Sequence, residues 1–308
     1  MNLTRGFIIR GPGSVTLGTT VMHDKAGISA AFEQATFPVE TSSWGRVDTI
    51  RGGRTAKVSW TPARQANANI LAALFPRQTP TIGASIFGAV DVPCIVHSKL
   101  GKKVTFFAAA LTKRPSLRLS ASQADLFASA AEITCVNKDD TDPSADGSFF
   151  STADEAWTGA IAAADVRPGR YTGTYDQTAI NTKDGWLVEF EDTFEPVPVD
   201  GIGTVSLDEK SQIVRAKCTP VGVDEATFLG WFNLQGAGAV PGSSMRTGKS
   251  LTITAAGGLT VILYEAAFVP GPMAWGAGTL RAGEIGFIAH RTIANNTPGA
   301  LCSVALAQ

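Results

Sequence analysis

The chain has 308 residues, room for one large or two ordinary domains. Hydrophobic residues make up 44% and charged residues 17%, with 26 basic against 27 acidic side chains and a net charge of -1; this excludes a disordered chain and a general nucleic-acid or membrane-surface binder acting through bulk charge. So neutral a surface suits a protein that associates with its own copies, and 32 glycines beside only 4 methionines and 3 histidines favour turn-rich β architecture over helical bundles.

In chain order, residues 28–39 read as a strand, TSSWGRVDTIRGG as a connection too long for a tight turn, and 54–60 as a second strand. In the latter, Ala56, Val58 and Trp60 alternate with Lys57 and Ser59, the period of a strand with one buried face. Thr61 suits a helix N-cap and Pro62 the first helical position. The helix they predict, ARQANANILAALF, carries Ile70, Leu71 and Leu74 as an apolar stripe. KKVTFFAAALTKRP (102–115) is an apolar strand-type run ending in a proline turn, and AEITCVN (131–137) is a return strand. NKDDTDPSADGS (137–148) is polar and turn-rich, the best linker or surface loop, and the segment after it is expected to pack on what precedes it.

The same series then starts again. With the chain shifted against itself by about 158 positions, an ungapped register holds from near Gly11 to Leu74. Gly27 meets Gly185, Phe32-Glu33 meets Phe190-Glu191, Pro38-Val39 meets Pro196-Val197 and Thr61-Pro62 meets Thr219-Pro220. Val214, Ala216 and Cys218 alternate with Arg215 and Lys217 in the phase of the first copy, and VGVDEATFLGWF repeats the helix with Phe228, Leu229 and Phe232. Beyond the helix the register slips by about one residue; 102–115 meets 259–272, and GFIAHRTI (286–293) is the second return strand. The predicted fold is mainly β: two tandem domains, 1–150 and 165–308, joined by a packing segment 151–164, each with one α-helix and a long β-hairpin.

Candidate chemistry is sparse. Cys94, Cys135, Cys218 and Cys302 are far apart and form no CxxC pair, so zinc and a disulfide framework are unsupported and no cofactor or metal is expected. His23, His97 and His290 sit in no nucleophile or metal motif. Gly248-Lys249-Ser250 leads into LTIT, a strand, whereas a phosphate loop needs a helix N-terminus. Asp142, Ser144, Asp146 and Gly147 match half of a calcium loop, but the twelfth position falls on Ala153, and a solvated acidic turn is the ordinary reading. No apolar run approaches the roughly 20 residues of a membrane-spanning helix. The opening MNLTRGFIIRGPG has no signal-peptide core, so folding in a cytoplasm is expected. The two hairpin tips differ in sign: Arg46, Arg51 and Arg54 outnumber Asp48 in the first, and Asp200, Asp208 and Glu209 outnumber Lys210 in the second. Two readings are open, unrelated solvated loops or a basic and an acidic hairpin meeting across a subunit contact.

The order of amphipathic strand pair, long hairpin, Thr-Pro with one helix, apolar strand ending in LTKRPSLRL, and return strand through SASQADLFASAAEIT resembles the major tail tube proteins of long-tailed bacteriophages. The resemblance covers 6–137 best and 165–300 more loosely. It implies β-barrel or sandwich tube domains whose strands build an inner barrel, with the hairpin stacking on the next ring. The duplication implies the variant in which trimers form pseudo-sixfold rings. It further implies a non-enzymatic virion protein assembled in the host cytoplasm. Its partners would be its own copies and the tape-measure, tail terminator and distal tail proteins, with DNA passing without sequence-specific binding. Glu33, Glu189, Glu191 and Glu195 are then lumen-lining candidates, since an acidic wall does not hold phosphates, although Lys57, Arg215 and Lys217 lie where they would neutralise them. The alternatives are another virion protein on the same fold (distal tail, tube-initiating or decoration protein) or a two-domain carbohydrate-binding β-sandwich using Trp44, Trp157, Trp186, Trp231 and Trp275; an enzyme is the remotest reading.

Overall fold

The computed structural model describes residues 13–63, 67–79, 81–87, 92–120, 125–137, 149–158, 171–199, 203–223, 225–231, 248–255, 257–276, 279–294 and 297–306. Among these the chain is mainly β, with several antiparallel sheets and two short helices. The first set of elements is β1 (Gly13–Leu17), β2 (Thr20–His23), β3 (Ser29–Thr41), β4 (Gly45–Trp60), α1 (Ala68–Leu74), β5 (Cys94–Ser98), β6 (Lys102–Phe106), β7 (Ala108–Lys113), β8 (Leu117–Leu119), β9 (Ala131–Val136) and β10 (Phe150–Asp154). The second is β11 (Tyr171–Tyr175), β12 (Thr178–Val199), β13 (Gly203–Val221), α2 (Glu225–Trp231), β14 (Leu251–Ala255), β15 (Leu259–Leu263), β16 (Ala267–Val269), β17 (Met273–Gly276), β18 (Thr279–Ala282), β19 (Ile285–Ile288), β20 (Ile293–Ala294), β21 (Thr297–Pro298) and β22 (Cys302–Leu306).

The first set makes two sheets, in the orders β3-β4-β9-β7 and β2-β1-β5-β6-β10. The second set repeats both orders, as β12-β13-β19-β16 and β12-β11-β14-β15-β22, fused into one sheet because β12 takes the places of both β2 and β3. Registers repeat too. Ala30 opposes Val58 and Val188 opposes Ala216; Val15 opposes Val96 and Gly173 opposes Ile253. Each long hairpin carries bulges at the same two places, between Gln34 and Thr36 and after Val39 in one, between Thr193 and Phe194 and after Val197 in the other. A bulge adds a residue to one strand and steepens the twist, so its position is a fine-grained mark of common geometry.

The alternation read from the sequence does its expected work: Ala56, Val58 and Trp60, and Val214, Ala216 and Cys218, point into a single buried core that runs through both sets. Ile70, Leu71 and Leu74 seat α1 on that core. Several details differ from expectation. The run 102–115 is two strands, β6 and β7, which belong to different sheets. TSSWGRVDTIRGG is not a long loop, because pairing continues to Thr41 and Gly45 and leaves a tight turn in which Gly45 takes φ 67°. Thr61-Pro62 caps no helix: the Thr61 carbonyl accepts from Lys25 N–H at 2.9 Å, and α1 starts later behind Asn67, whose side chain accepts the Ile70 N–H at 2.8 Å. Thr219-Pro220 lies inside β13, with Pro220 opposite Thr182. The beginning of the 151–164 segment is built into the five-stranded sheet of the first set as β10, paired with β6 from Phe150↔Phe106 to Asp154↔Lys102.

The two sets lock together side by side. β8 of the first pairs with β12 of the second through Trp186↔Leu119, Leu187↔Arg118 and Val188↔Leu117. Phe75 at the end of α1 stacks on Phe190 with ring centres 4.9 Å apart, and Arg114 lies 4.6 Å over the same ring. The segment 83–86 hydrogen-bonds along the far part of β13, where Gly83 N–H donates to Glu209 O and Ile86 N–H to Leu207 O.

Candidate functional site

The solvent faces of the two long hairpins carry the charged residues singled out in the sequence. Every candidate glutamate meets a cation on the opposite strand. Glu33 pairs with Lys57 at 3.3 Å, Glu189 with Lys217 at 2.7 Å, Glu191 with Arg215, and Glu195 with Lys210 at 3.7 Å. In each case the cation stands two residues beyond the glutamate's register partner: Thr55, Arg215, Ile213 and Asp208 oppose the four acids. Strand twist brings this diagonal together, and the same diagonal recurs in both hairpins. The bond it donates to Glu189 holds the Lys217 ammonium above its ordinary range, against the opposing effect of burial. The face is therefore a ladder of alternating sign, not the acidic wall that the glutamates alone suggested. These pairs are substantially exposed, worth about 0–1 kcal/mol each, so they govern surface charge more than stability.

The two far ends of the hairpins are unlike. In the first, Arg46 opposes Glu40, Asp48 opposes Val39, Arg51 opposes Thr36 and Arg54 opposes Gln34. Residues 41–49 are exposed throughout, and Trp44 in the turn is 84% exposed. In the second, Glu209 of the expected acidic tip is withdrawn from solvent. Glu209 is only 3% exposed; its carboxylate accepts the Thr81 N–H at 3.0 Å, and its strand is covered by residues 83–86. Asp208 is half-buried and bridges Ser85, while Lys210 is exposed in its pair with Glu195. Asp200 lies outside the described residues, as do Asp142, Ser144, Asp146 and Gly147.

Beneath the second hairpin is a buried polar cluster that the sequence did not reveal. Arg114 grips Asp192 in a fork, Nε to Oδ2 at 2.8 Å and Nη2 to Oδ1 at 2.6 Å, with the two side chains 0% and 1% exposed. Gln212 donates to the same carboxylate at 3.2 Å and to the Arg77 carbonyl at 3.0 Å. Burial pulls the Arg77 guanidinium below its ordinary value, and the neighbouring Asp192 opposes that shift. The only sequence signal for this cluster was a charge, Asp192, on the strand face otherwise marked by Val188 and Phe190. Arg114 comes from the first set, Asp192 and Gln212 from the second, so the cluster is a buried clamp between them.

Other candidates have structural surroundings. His97 Nε2 meets the Glu155 carbonyl oxygen at 2.8 Å, His290 Nδ1 meets that of Glu265 at 3.1 Å, and His23 sits edge-on to Trp157. Trp186 and Trp231 are buried, at 1% and 8% exposure, whereas a sugar platform needs an open face. Trp157 is partly covered by Lys99, and the Trp275 side chain lies outside the description. Gly248-Lys249-Ser250 leads into β14, and Lys249 pairs with Asp176. A cleft of about 650 Å³ between α1, β7 and residues 81–87 is lined by apolar side chains such as Leu17, Ala73, Phe87 and Leu111, and by the charged Arg77 and Glu209.

No family model matches the chain, and no curated protein aligns with it significantly.

Proposed function

We propose that the protein is a structural subunit of a bacteriophage tail tube. Its two tube-like domains, roughly 1–150 and 165–308, would supply two of six positions in a trimeric ring, and rings would stack into a conduit for DNA. The observation that carries this reading is the internal repeat of strand order, register and bulges, with the two copies joined head to tail through β8 and β12. A head-to-tail contact is heterologous: it leaves an unused acceptor at one end and an unused donor at the other, and therefore propagates until it closes. Closure through strand addition also disposes of exposed sheet edges.

The near-neutral chain and the charge-balanced hairpin faces suit the same role. DNA adheres to unpaired cations by displacing its counterions; a wall on which Glu33, Glu189, Glu191 and Glu195 each occupy a basic side chain offers little to displace. We assign this ladder to the lumen, and the first hairpin, exposed over residues 41–49 and carrying Arg46, Asp48, Arg51 and Arg54, to the contact between stacked rings. The virion is the corresponding location, with the chain's own copies and the tape-measure, terminator and distal tail proteins as partners. Electron microscopy of the purified protein tests the proposal. Rings built from three chains that stack into tubes are expected; dispersed monomers at high concentration would overturn it, and rings that never stack would favour a distal or tube-initiating part.

A further inference from the structure

We infer that the outer edge of β3, at residues 28–30, is the docking site for β17 of a second copy of this chain, in the register that β8 and β12 use within one chain. The inference deepens the ring reading above and rests on it.

Within the chain, β8 forms a narrow hairpin with residues 126–127, through the Leu117–Phe127 bridge and Arg118 N–H to Leu126 O, and offers its other edge to β12. The second set builds the same hairpin: β17 pairs with β18, Met273 opposite Ala282 and Ala274 opposite Arg281. β17 follows β16 as β8 follows β7, and the last matched pairs, Lys113↔Glu132 and Val269↔Gly286, put Met273, Ala274 and Trp275 in the places of Leu117, Arg118 and Leu119. Among the described residues, however, the other edge of β17 has no strand beside it. Nor does the outer edge of β3, the counterpart of β12. One donor and one acceptor of the same type thus remain, at opposite ends of the repeat.

A glycine shows where the acceptor expects its partner. Gly185, at φ 87°, lies so close to β8 that a methyl group there would overlap the Leu119 carbonyl oxygen and Ser120. Its repeat counterpart Gly27 keeps the left-handed backbone, at φ 115°, yet no described atom lies within 4 Å of where its methyl would be. The conformation that admits β8 against β12 is preserved beside β3, where no described atom fills the corresponding space. Burial follows suit: Leu187 is half-buried under β8, whereas its counterpart Ser29 is exposed. Transferring the observed register sets Ile28 opposite Trp275, Ser29 opposite Ala274 and Ala30 opposite Met273, an antiparallel three-residue strand addition.

Cysteine pairing tests this directly, because the four native cysteines are buried. Ser29→Cys and Ala274→Cys variants, made separately and together in the full chain, are oxidised mildly and run on non-reducing gels, with the same samples imaged by electron microscopy. Each single variant alone is expected to stay uncrosslinked, their equal mixture to give a covalent dimer, and the double variant a ladder ending at three chains. Crosslinking of S29C with itself, or rings that form without any crosslink in the double variant, would overturn the β3–β17 contact and leave the ring reading standing. Crosslinked rings that never stack would support the contact and overturn the tube. Monomers without crosslinks would overturn both.

Discussion

At the scale of single residues the repeat has diverged by compensation. Gly173 leaves room for the Trp186 ring, which a methyl group at that position would overlap; their counterparts Val15 and Ile28 fill the corresponding space with two middle-sized side chains. Asp192 has Gln34 as its counterpart, so the charge is confined to the side of the repeat that meets Arg114 within the chain. Replacing Asp192 with Leu leaves Arg114 buried without its counter-charge, and a loss of about 3–5 kcal/mol is expected in chemical denaturation. The double variant R114M/D192L should recover part of it, because a matched apolar pair removes the desolvation costs of Arg114 and Asp192 while Arg77 loses its neighbouring carboxylate. The cysteines set an alkaline limit. Burial raises the Cys135, Cys218 and Cys302 thiols above their ordinary 9.0. The unfolded chain then releases these protons first, so stability is complete below about pH 9 and falls as pH rises beyond it, by up to about 1.4 kcal/mol per pH unit for each thiol. Thermal melts between pH 7 and 10.5 should show this slope, and Cys→Ala substitution at the three sites should flatten it.

At the scale of elements the two long hairpins share geometry and differ in what covers them. Residues 83–86 lie along the far half of β13, whereas residues 41–49 at the far end of the first hairpin, Trp44, Arg46 and Asp48 among them, are exposed. Electrostatic stacking through this end predicts that Arg46→Glu/Arg51→Glu/Arg54→Glu leaves rings intact and blocks tubes; normal tubes at low salt would sink the idea. Because Glu209 is buried, the acidic surface answering these arginines must be sought elsewhere than on Glu209. The hairpin faces make a separate prediction. Glu189→Gln/Glu191→Gln/Glu195→Gln releases Lys217, Arg215 and Lys210 from their partners without changing the core. Assembled protein should then retain DNA in a salt-dependent way that the parent does not, the slope of log affinity against log salt steepening by about 0.9 for each phosphate engaged. Unchanged retention in a filter-binding assay would remove this face from the lumen.

At the scale of the whole molecule, the core that runs through both sets means that the two copies share more than a tether. β8 completes the sheet of the second set, Phe75 fills the hollow beside Phe190, and Arg114 closes over Asp192. Each of these contacts reaches in the same direction, from elements of the first copy onto the long hairpin of the second. A repeat joined in one direction has polarity, and polarity is what distinguishes a closing ring from a two-fold dimer. The exposed edge of β3 and the outer edge of β17 are the ends of that polarity. Long uncovered edges invite indiscriminate pairing, which three-residue docking beside a left-handed glycine restricts to one register.

Much of this was legible in the amino-acid order. Period-two alternation marked the buried face of Ala56, Val58 and Trp60 and of Val214, Ala216 and Cys218, the 158-residue shift matched the two, and the Ile70, Leu71 and Leu74 stripe chose the buried side of α1, since all three depend on neighbours within a few residues or on the copying of a stretch. The helix starts were misplaced because a cap is decided by which side chain reaches a free N–H: Asn67 does, and Thr61 is held by Lys25. The sign of the hairpin faces was legible as separate charges, but their neutralisation needed the twist that sets Glu191 beside Arg215. Glu209 looked like a tip residue until residues 83–86 folded over it, and Arg114 and Asp192, 78 positions apart, became partners only through the packing of one copy on the other. Local pattern can determine which way a side chain faces along its own strand; what stands in front of it is decided by distant chain, because packing joins residues that sequence keeps apart.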